Sequence, residues 1–341
     1  MTGLIIITFL LRIPAELRVR LEPVNSQQPD FGSKQIIVAT DERIFTLFAA
    51  LNAAGFNREY EGIPMSFLRQ QIRAALDGKN IPSLQRLKRY FDKISDYHLV
   101  VWVLQRGSAP EFERAEAGWW ISTRAANFDG LYSALSDFYK EADIANLWQQ
   151  IKPQYDATLA YWQPLVETSL GDLQTYLRIS ELPVRQIVVI PNLLDSYYSG
   201  NGPLIGDIAF VVSGPTETEL SLQGLIEHET LHSIIGPMLD RNHHIISKTQ
   251  SHRLFTVLKK SMPSSYGTWP NVLEETIIRA IGLRMIKDES LRNQLLNQLE
   301  GEGFLLIRPL YQSLDVYEQS NQSFDEYLPI LLDTLNHIHL Q

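Results

Sequence analysis

The chain has 341 residues, about the length of two average domains and enough to bury a large core. Its 39 acidic and 30 basic side chains give a net charge of −9, which excludes a broadly basic surface of the kind that binds nucleic acids. The sequence contains no cysteine, so disulfides, thiol catalysis and thiolate metal sites are excluded as well.

The chain begins with an apolar run, Leu4–Leu11, that is shorter than the roughly 20 residues a membrane span requires. We therefore expect no transmembrane span and interpret the run as a buried first strand. A short signal segment over residues 1–14 is the alternative, although no Lys or Arg precedes the run. The cytoplasm is slightly favoured on this basis, and export stays open.

Helices are predicted to dominate the first part of the chain, after a polar segment at residues 22–34. Asp41 can cap a first helix that ends at Gly55. Apolar residues at helical spacing predict two further helices, over Met65–Leu76 and Ser83–Ile94. The continuous apolar run Leu99–Leu104 instead predicts a strand.

The period of the apolar pattern changes in the second part of the chain. It is helical from Asp129 to about Leu177, where Pro153 is expected to break the helix. The β-branched runs Arg185–Ile190 and Ile205–Val212 are the most strand-like segments. Everything after residue 216 is predicted to be helices joined by short loops.

Together these elements predict a helix-rich α+β fold. We expect an N-terminal α+β region over residues 1–180 and a C-terminal region with the functional motif over residues 181–341. No flexible linker marks the boundary, so the two regions can also form one continuous unit.

Residues 228–232 form the pattern HExxH. Side chains at i and i+4 lie one above the other on a helix, so the imidazoles of His228 and His232 can converge on one cation. Glu229 lies beside the first histidine, where its carboxylate can reach a water in an open coordination position. Thr216 or Thr218 can cap this helix, and Gly236-Pro237 is expected to end it. The alternative is that both histidines are hydrogen-bonded residues of a half-buried helix without a metal.

A catalytic zinc site with two histidines needs a third protein ligand. The metzincin pattern would require a glycine and a histidine at positions that hold Ile235 and Met238, so this class is excluded. The predicted helix Asn271–Lys287 offers Glu274 and Glu275, with 42 residues between the second histidine and Glu275.

The choice between the two glutamates depends on their neighbours. Helix geometry alone favours Glu274, because its face continues through Ile277 and Ile278. Glu275 has Arg279 one turn later, where a guanidinium can hold the second carboxylate oxygen. We predict Glu275 as the ligand with Arg279 behind it, and keep Glu274 as the alternative.

The tetrahedral oxyanion formed at an attacked carbonyl needs a further cationic or phenolic group. Proximity in sequence makes Tyr266, His243 and His244 the candidates, and we assign the role to Tyr266. The pair Tyr197-Tyr198 is a weaker choice and is expected to contribute to packing.

The segments Glu227–Ser233 and Glu275–Ala280, with Gly236-Pro237 and Tyr266-Gly267 between them, resemble an uncharacterised family of zincin-like proteins that was defined as a domain of unknown function. The resemblance implies a gluzincin-type metallopeptidase fold with a small mixed sheet and an active-site helix. It places the third ligand at Glu275. It also implies that the strand Ile205–Val212 is a sheet edge that pairs with an extended peptide, an interior strand being the alternative.

The leading expectation is therefore a zinc-dependent peptidase in which Glu229 is the general base. Zn²⁺ is the expected cofactor, a peptide or protein is the expected substrate, and no nucleic-acid partner is expected. The alternative is a non-catalytic, zinc-stabilised peptide-binding protein that retains the zincin fold. The sequence indicates neither the cleavage preference nor the oligomeric state.

Overall fold

A computed structural model describes residues 35–59, 62–113, 128–246, 254–258 and 268–338 of the chain. This part is helix-rich α+β with a small mixed sheet, and the prediction of a helix-rich α+β class is thereby confirmed. The predicted first strand and the polar segment at 22–34 lie outside the described residues. None of the described helices is both long enough and apolar enough to cross a membrane.

The described residues belong to two compact units. The sheet unit contains the described residues from 35 to 166 together with 185–222. The helical unit contains residues 167–184 and the described residues from 223 onward, which include the HExxH motif. The sequence-based division at residue 180 stays a prediction.

The described part of the sheet unit contains five short strands and five complete helices. The strands are β1 Ile36–Val38, β2 Gln186–Pro191, β3 Gly200–Asn201, β4 Leu204–Ile205 and β5 Ile208–Ser213. The helices are α1 Glu42–Ala53, α2 Phe67–Leu76, α3 Ser83–Phe91, α4 Asp96–Leu104 and α5 Leu131–Glu141. A sixth helix, α6 Ile144–Leu177, contributes residues to both units.

Helices make up most of the helical unit. They are α7 Glu219–Arg241, which begins in the sheet unit, α8 His243–Ile246, α9 Trp269–Met285, α10 Glu289–Gly301, α11 Ile307–Gln319 and α12 Phe324–Thr334. Helix α9 packs against α11, and α11 packs against α10 and α12. The apolar faces of α9 and α11 are buried through residues such as Ile277, Ile281, Leu310 and Leu314.

The sheet explains why two predicted strands are continuous apolar runs. Strands β1, β2 and β5 are parallel, and every residue of β2 and β5 is buried. Such strands have no solvent-facing side to carry polar residues. The run Arg185–Ile190 is thereby confirmed as a strand.

The expectation of an open edge before the motif helix is wrong. Strand β5 pairs with β2 on one side and with the short antiparallel strands β3 and β4 on the other. The predicted single strand Ile205–Val212 is in fact a hairpin of β4 and β5, because Gly206 takes a φ of +63° in the turn between them. Strand β5 has both of its edges paired and cannot accept an extended peptide in this structure.

The predicted strand Leu99–Leu104 is wrong, because this segment belongs to helix α4. The Ser95 side chain accepts a hydrogen bond from the N–H of His98 and caps the helix. All residues from His98 to Leu104 are buried, so the helix is apolar on every side and shows no helical periodicity in its sequence.

Prolines end neither of the two helices in which a break was predicted. Helix α6 continues through Pro153, and α7 continues through Pro237 to Arg241. In both helices the buried apolar face continues after the proline, with Tyr155 in α6 and with Met238 and Leu239 in α7. Burial of these side chains compensates for the backbone hydrogen bond that the proline cannot make.

The first helix confirms its sequence signals. Asp41 precedes α1, and its side chain accepts hydrogen bonds from the N–H groups of Arg43 and Ile44. Gly55 follows the helix with a φ of +96°, a conformation that side chains with a Cβ atom rarely adopt.

Candidate metal centre

Helix α7 positions the two histidines of the motif. Its N-cap is Thr218, one of the two residues predicted, whose Oγ1 accepts a hydrogen bond from the N–H of Ser221 at 3.1 Å. The apolar residues on both sides of the motif are buried and fix the rotation of the helix, namely Leu225, Ile226, Leu231, Ile234 and Ile235. The one-turn spacing brings the rings of His228 and His232 to a centroid distance of 5.0 Å.

Helix α9 brings a carboxylate to these two rings. Oε1 of Glu275 lies 3.3 Å from Nε2 of His232, and Oε2 of Glu275 lies 3.7 Å from Nε2 of His228. One ligand atom from each of the three residues lies within 4.8 Å of the others. Two ligands of a tetrahedral zinc ion are about 3.3–3.6 Å apart, given bonds of about 2.0–2.2 Å. This buried group can therefore hold a metal ion with only small side-chain shifts.

The two adjacent glutamates divide between the two sides of His232. Oε1 of Glu274 lies 2.9 Å from Nδ1 of His232, while Glu275 faces Nε2. An ionised Glu274 carboxylate can only accept hydrogen bonds, and in that state Nδ1 of His232 is the donor. This proton position directs the Nε2 lone pair of the neutral ring toward the ligand cluster. Glu274 itself is not part of that cluster.

Arg279 lies one turn after Glu275, as predicted from their spacing. Its Nη2 atom is 3.4 Å from Oε2 of Glu275, and the side chain is almost completely buried. The guanidinium carbon also lies 4.7 Å from the centroid of the Phe304 ring. The ring and the carboxylate together restrict the orientation of the guanidinium, which in turn restricts that of Glu275. No spacing in the sequence indicated the contribution of Phe304.

Burial and charge set the protonation of the ligand group. Burial lowers the pKa of His228 well below its ordinary value, so this imidazole is neutral and can bind a cation. Burial alone would raise the pKa of Glu275, but the positive charge of Arg279 beside it acts in the opposite direction, and the pKa lies below its ordinary value. The carboxylate of Glu275 is therefore ionised at neutral pH.

Glu229 is buried beside the cluster, with 2% of its surface exposed. Burial, reinforced by the charge of Glu275, raises its pKa to about 8. Its Oε2 atom and the Nε2 atom of His228 have no hydrogen-bond partner among the described residues. A divalent cation would favour the ionised form of Glu229 and give the His228 nitrogen a partner. The chemistry of the donor set thus fits a metal ion.

Of the predicted oxyanion stabilisers, the two histidines His243 and His244 do not join this cluster. Tyr266 lies outside the described residues. His243 and His244 are both exposed in α8 and are not among the residues whose ligand atoms converge. Tyr198 donates a hydrogen bond from its hydroxyl to Glu217 within the sheet unit, and Tyr197 packs against its ring.

Comparison with known proteins gives one match. The sequence profile of a family described as "Domain of unknown function (DUF4932)" matches residues 203–334. The matched segment is similar to that family and includes the HExxH motif, both glutamates of α9 and Arg279. No curated protein and no solved structure matches the chain.

Proposed function

We propose that the protein is a zinc-dependent peptidase whose metal is held by His228, His232 and Glu275. The convergence of these three side chains around one point, with the Glu229 carboxylate buried beside them, is the observation that supports this function. Two imidazole nitrogens and one carboxylate oxygen are a donor set typical of catalytic zinc, because three protein ligands leave a fourth position open.

The architecture of the cluster supports a gluzincin-type assignment. Both histidines lie on one helix at i and i+4, and the third ligand lies on a later helix of the same unit. We propose the zincin fold for this chain together with the peptidase function. Tyr266 stays the proposed stabiliser of the oxyanion.

The residues of this chain have separate tasks in the proposed reaction. When bound, Zn²⁺ lowers the pKa of water and polarises the peptide carbonyl. Glu229 accepts the proton of the attacking water and then transfers it to the departing amine. Glu274 keeps the proton of His232 on Nδ1, and Arg279 holds the Glu275 carboxylate in one orientation.

Hydrolysis of a peptide mixture by zinc-loaded protein tests this function, with products identified by mass spectrometry. The wild type should cleave, and Glu229→Gln should keep its zinc but lose about 100-fold or more in kcat, because an amide cannot accept the proton. Glu289→Gln, at an exposed position of α10, is the matched control and should cleave like the wild type.

Two outcomes would contradict the proposal. Equal rates for the wild type and Glu229→Gln would exclude Glu229 as the general base. A zinc-loaded wild type that cleaves no peptide would favour the non-catalytic peptide-binding alternative.

A further inference from the structure

The first turn of α9, residues 268–271, has backbone donors that the helix cannot satisfy. The Thr268 side chain makes no capping hydrogen bond, and Pro270 has no N–H group. The first intrahelical bond runs from the N–H of Val272 to the carbonyl of Thr268, at 3.2 Å. The N–H groups of Trp269 and Asn271 therefore need an acceptor from outside the helix.

Two buried side chains add further donors to the same turn. Trp269 is 8% exposed and Asn271 is 7% exposed, and neither the indole Nε1 nor the amide Nδ2 has a hydrogen-bond partner among the described residues. Helical Cα–Cβ bonds tilt toward the N-terminus, so the Asn271 side chain is directed at the uncapped turn. Buried donors without acceptors are rare in folded proteins and indicate a missing partner.

The charge of the turn indicates that this partner is an anion. No acidic side chain is present in the first turn of α9 to compensate the partial positive charge of the helix end. Backbone N–H groups at a helix N-terminus bind carboxylates and phosphates readily. The Asn271 amide donor beside the first-turn N–H groups favours a group with several acceptor lone pairs, such as a carboxylate.

The turn lies close to the metal centre along the same helix. Asn271 precedes Glu275 by four residues, which is about 6 Å along the axis and about 40° around it. One extended peptide residue spans about 3.3–3.6 Å. A carboxylate bound at this turn would thus lie about two extended residues from a carbonyl held beside Glu275.

We infer that the first turn of α9 binds the terminal carboxylate of a peptide substrate, so that the protein removes C-terminal residues. The inference rests on the proposed peptidase function, because it assigns the substrate class of that same site. Asn271 and the first-turn N–H groups then select for a free carboxylate and exclude internal peptide bonds.

Binding to an inactive form tests the inference without hydrolysis. The zinc-loaded Glu229→Gln protein is titrated calorimetrically with acetyl-dialanine and with its C-terminal amide. The acid should bind at least about tenfold more tightly than the amide. Adding Asn271→Leu should lower affinity for the acid about tenfold and leave that for the amide unchanged. Asn293→Leu, exposed on α10, is the matched control and should change neither.

Equal affinities for acid and amide, or no binding of either by the zinc-loaded protein, would overturn the inference. The acid–amide comparison needs no change in α9, so a variant that fails to fold does not remove the test. Cleavage of internal bonds that depends on Glu229 would keep the peptidase function and exclude C-terminal selection. Preference for the acid without any cleavage would keep the carboxylate site and exclude the peptidase function.

Discussion

Glu274 accepts a hydrogen bond from Nδ1 of His232 at 2.9 Å, while the next residue along the chain faces Nε2 of the same ring. Two adjacent glutamates thus have different tasks at one histidine. One fixes the proton and orientation of the ring, and the other offers an oxygen to the ion that the ring would bind.

This division predicts different effects for two matched substitutions. Glu275→Gln should weaken zinc binding by about 100-fold or more, because a charged ligand is lost. Glu274→Gln should weaken it by no more than about tenfold, since the amide oxygen can still accept the hydrogen bond from His232. Competition with a chromogenic chelator measures both affinities. A large loss for Glu274→Gln with none for Glu275→Gln would reverse the assignment.

Arg279 should affect zinc affinity without touching the metal. Arg279→Ala is expected to lower the affinity about 10–100-fold, because Glu275 loses the group that restricts its orientation. Arg279→Lys keeps the charge but loses the planar stacking on Phe304, so it should give an intermediate value.

Arg284→Ala provides the control on the same helix. Arg284 pairs with Asp315 and Glu318 and has no contact with the ligand group in the structure. Its removal should leave zinc affinity unchanged. Equal losses for Arg279→Ala and Arg284→Ala would indicate a general weakening of α9 instead of a specific effect on Glu275.

Removal of zinc should destabilise the folded protein. A ligand that binds only the folded state raises the free energy of unfolding by about 2.7 kcal/mol at 100 times its Kd. Chelation should therefore lower the Tm of the wild type. His232→Ala should show the same Tm with and without chelator. A shift of equal size in this variant would mean that zinc stabilises the protein at some other place.

Stability should also depend on pH through Asp195, which lies in the sheet unit after β2. Burial, reinforced by Asp96, raises its pKa to about 7, against 3.8 for an unperturbed aspartate. Between about pH 4 and 7 the folded state keeps a proton that the unfolded state has released, so stability falls as pH rises through this window. Above pH 7 this contribution is lost.

Urea denaturation at pH 5 and pH 7.5 measures the effect. The decrease in the free energy of unfolding should be smaller in Asp195→Asn than in the wild type by about 2 kcal/mol, because the amide does not titrate. Asp156→Asn replaces an exposed aspartate and should retain the full decrease. An unchanged decrease in Asp195→Asn would show that the carboxyl is ionised in the folded protein.

Local signals in the sequence predicted those elements whose ends are determined by local chemistry. Helix α1 was predictable because Asp41 supplies the capping oxygen and Gly55 the positive φ that follows the helix. Helix α4 was not, because burial on every side removes the periodicity that distinguishes a helix from a strand. The proline at position 153 was misleading because a local penalty is outweighed by tertiary packing of the helix around it.

In the candidate site, too, sequence spacing predicted relationships within one helix but not those that depend on how two helices pack. The i, i+4 spacing was sufficient to place the two histidines, and the i, i+4 relation of Glu275 to Arg279 predicted their ion pair. The position of Glu274 at Nδ1 of His232 depends on how α7 and α9 pack, which spacing within one helix does not determine. The contact of Phe304 with Arg279 likewise joins segments that are distant in sequence.

The zinc content of the protein, purified without chelators and measured by elemental analysis, tests the metal centre most directly. The wild type should contain about one zinc per chain, and His228→Ala should contain almost none, because the buried group loses one of its three ligands. A wild type that contains no metal and takes up none on titration with zinc would contradict the account.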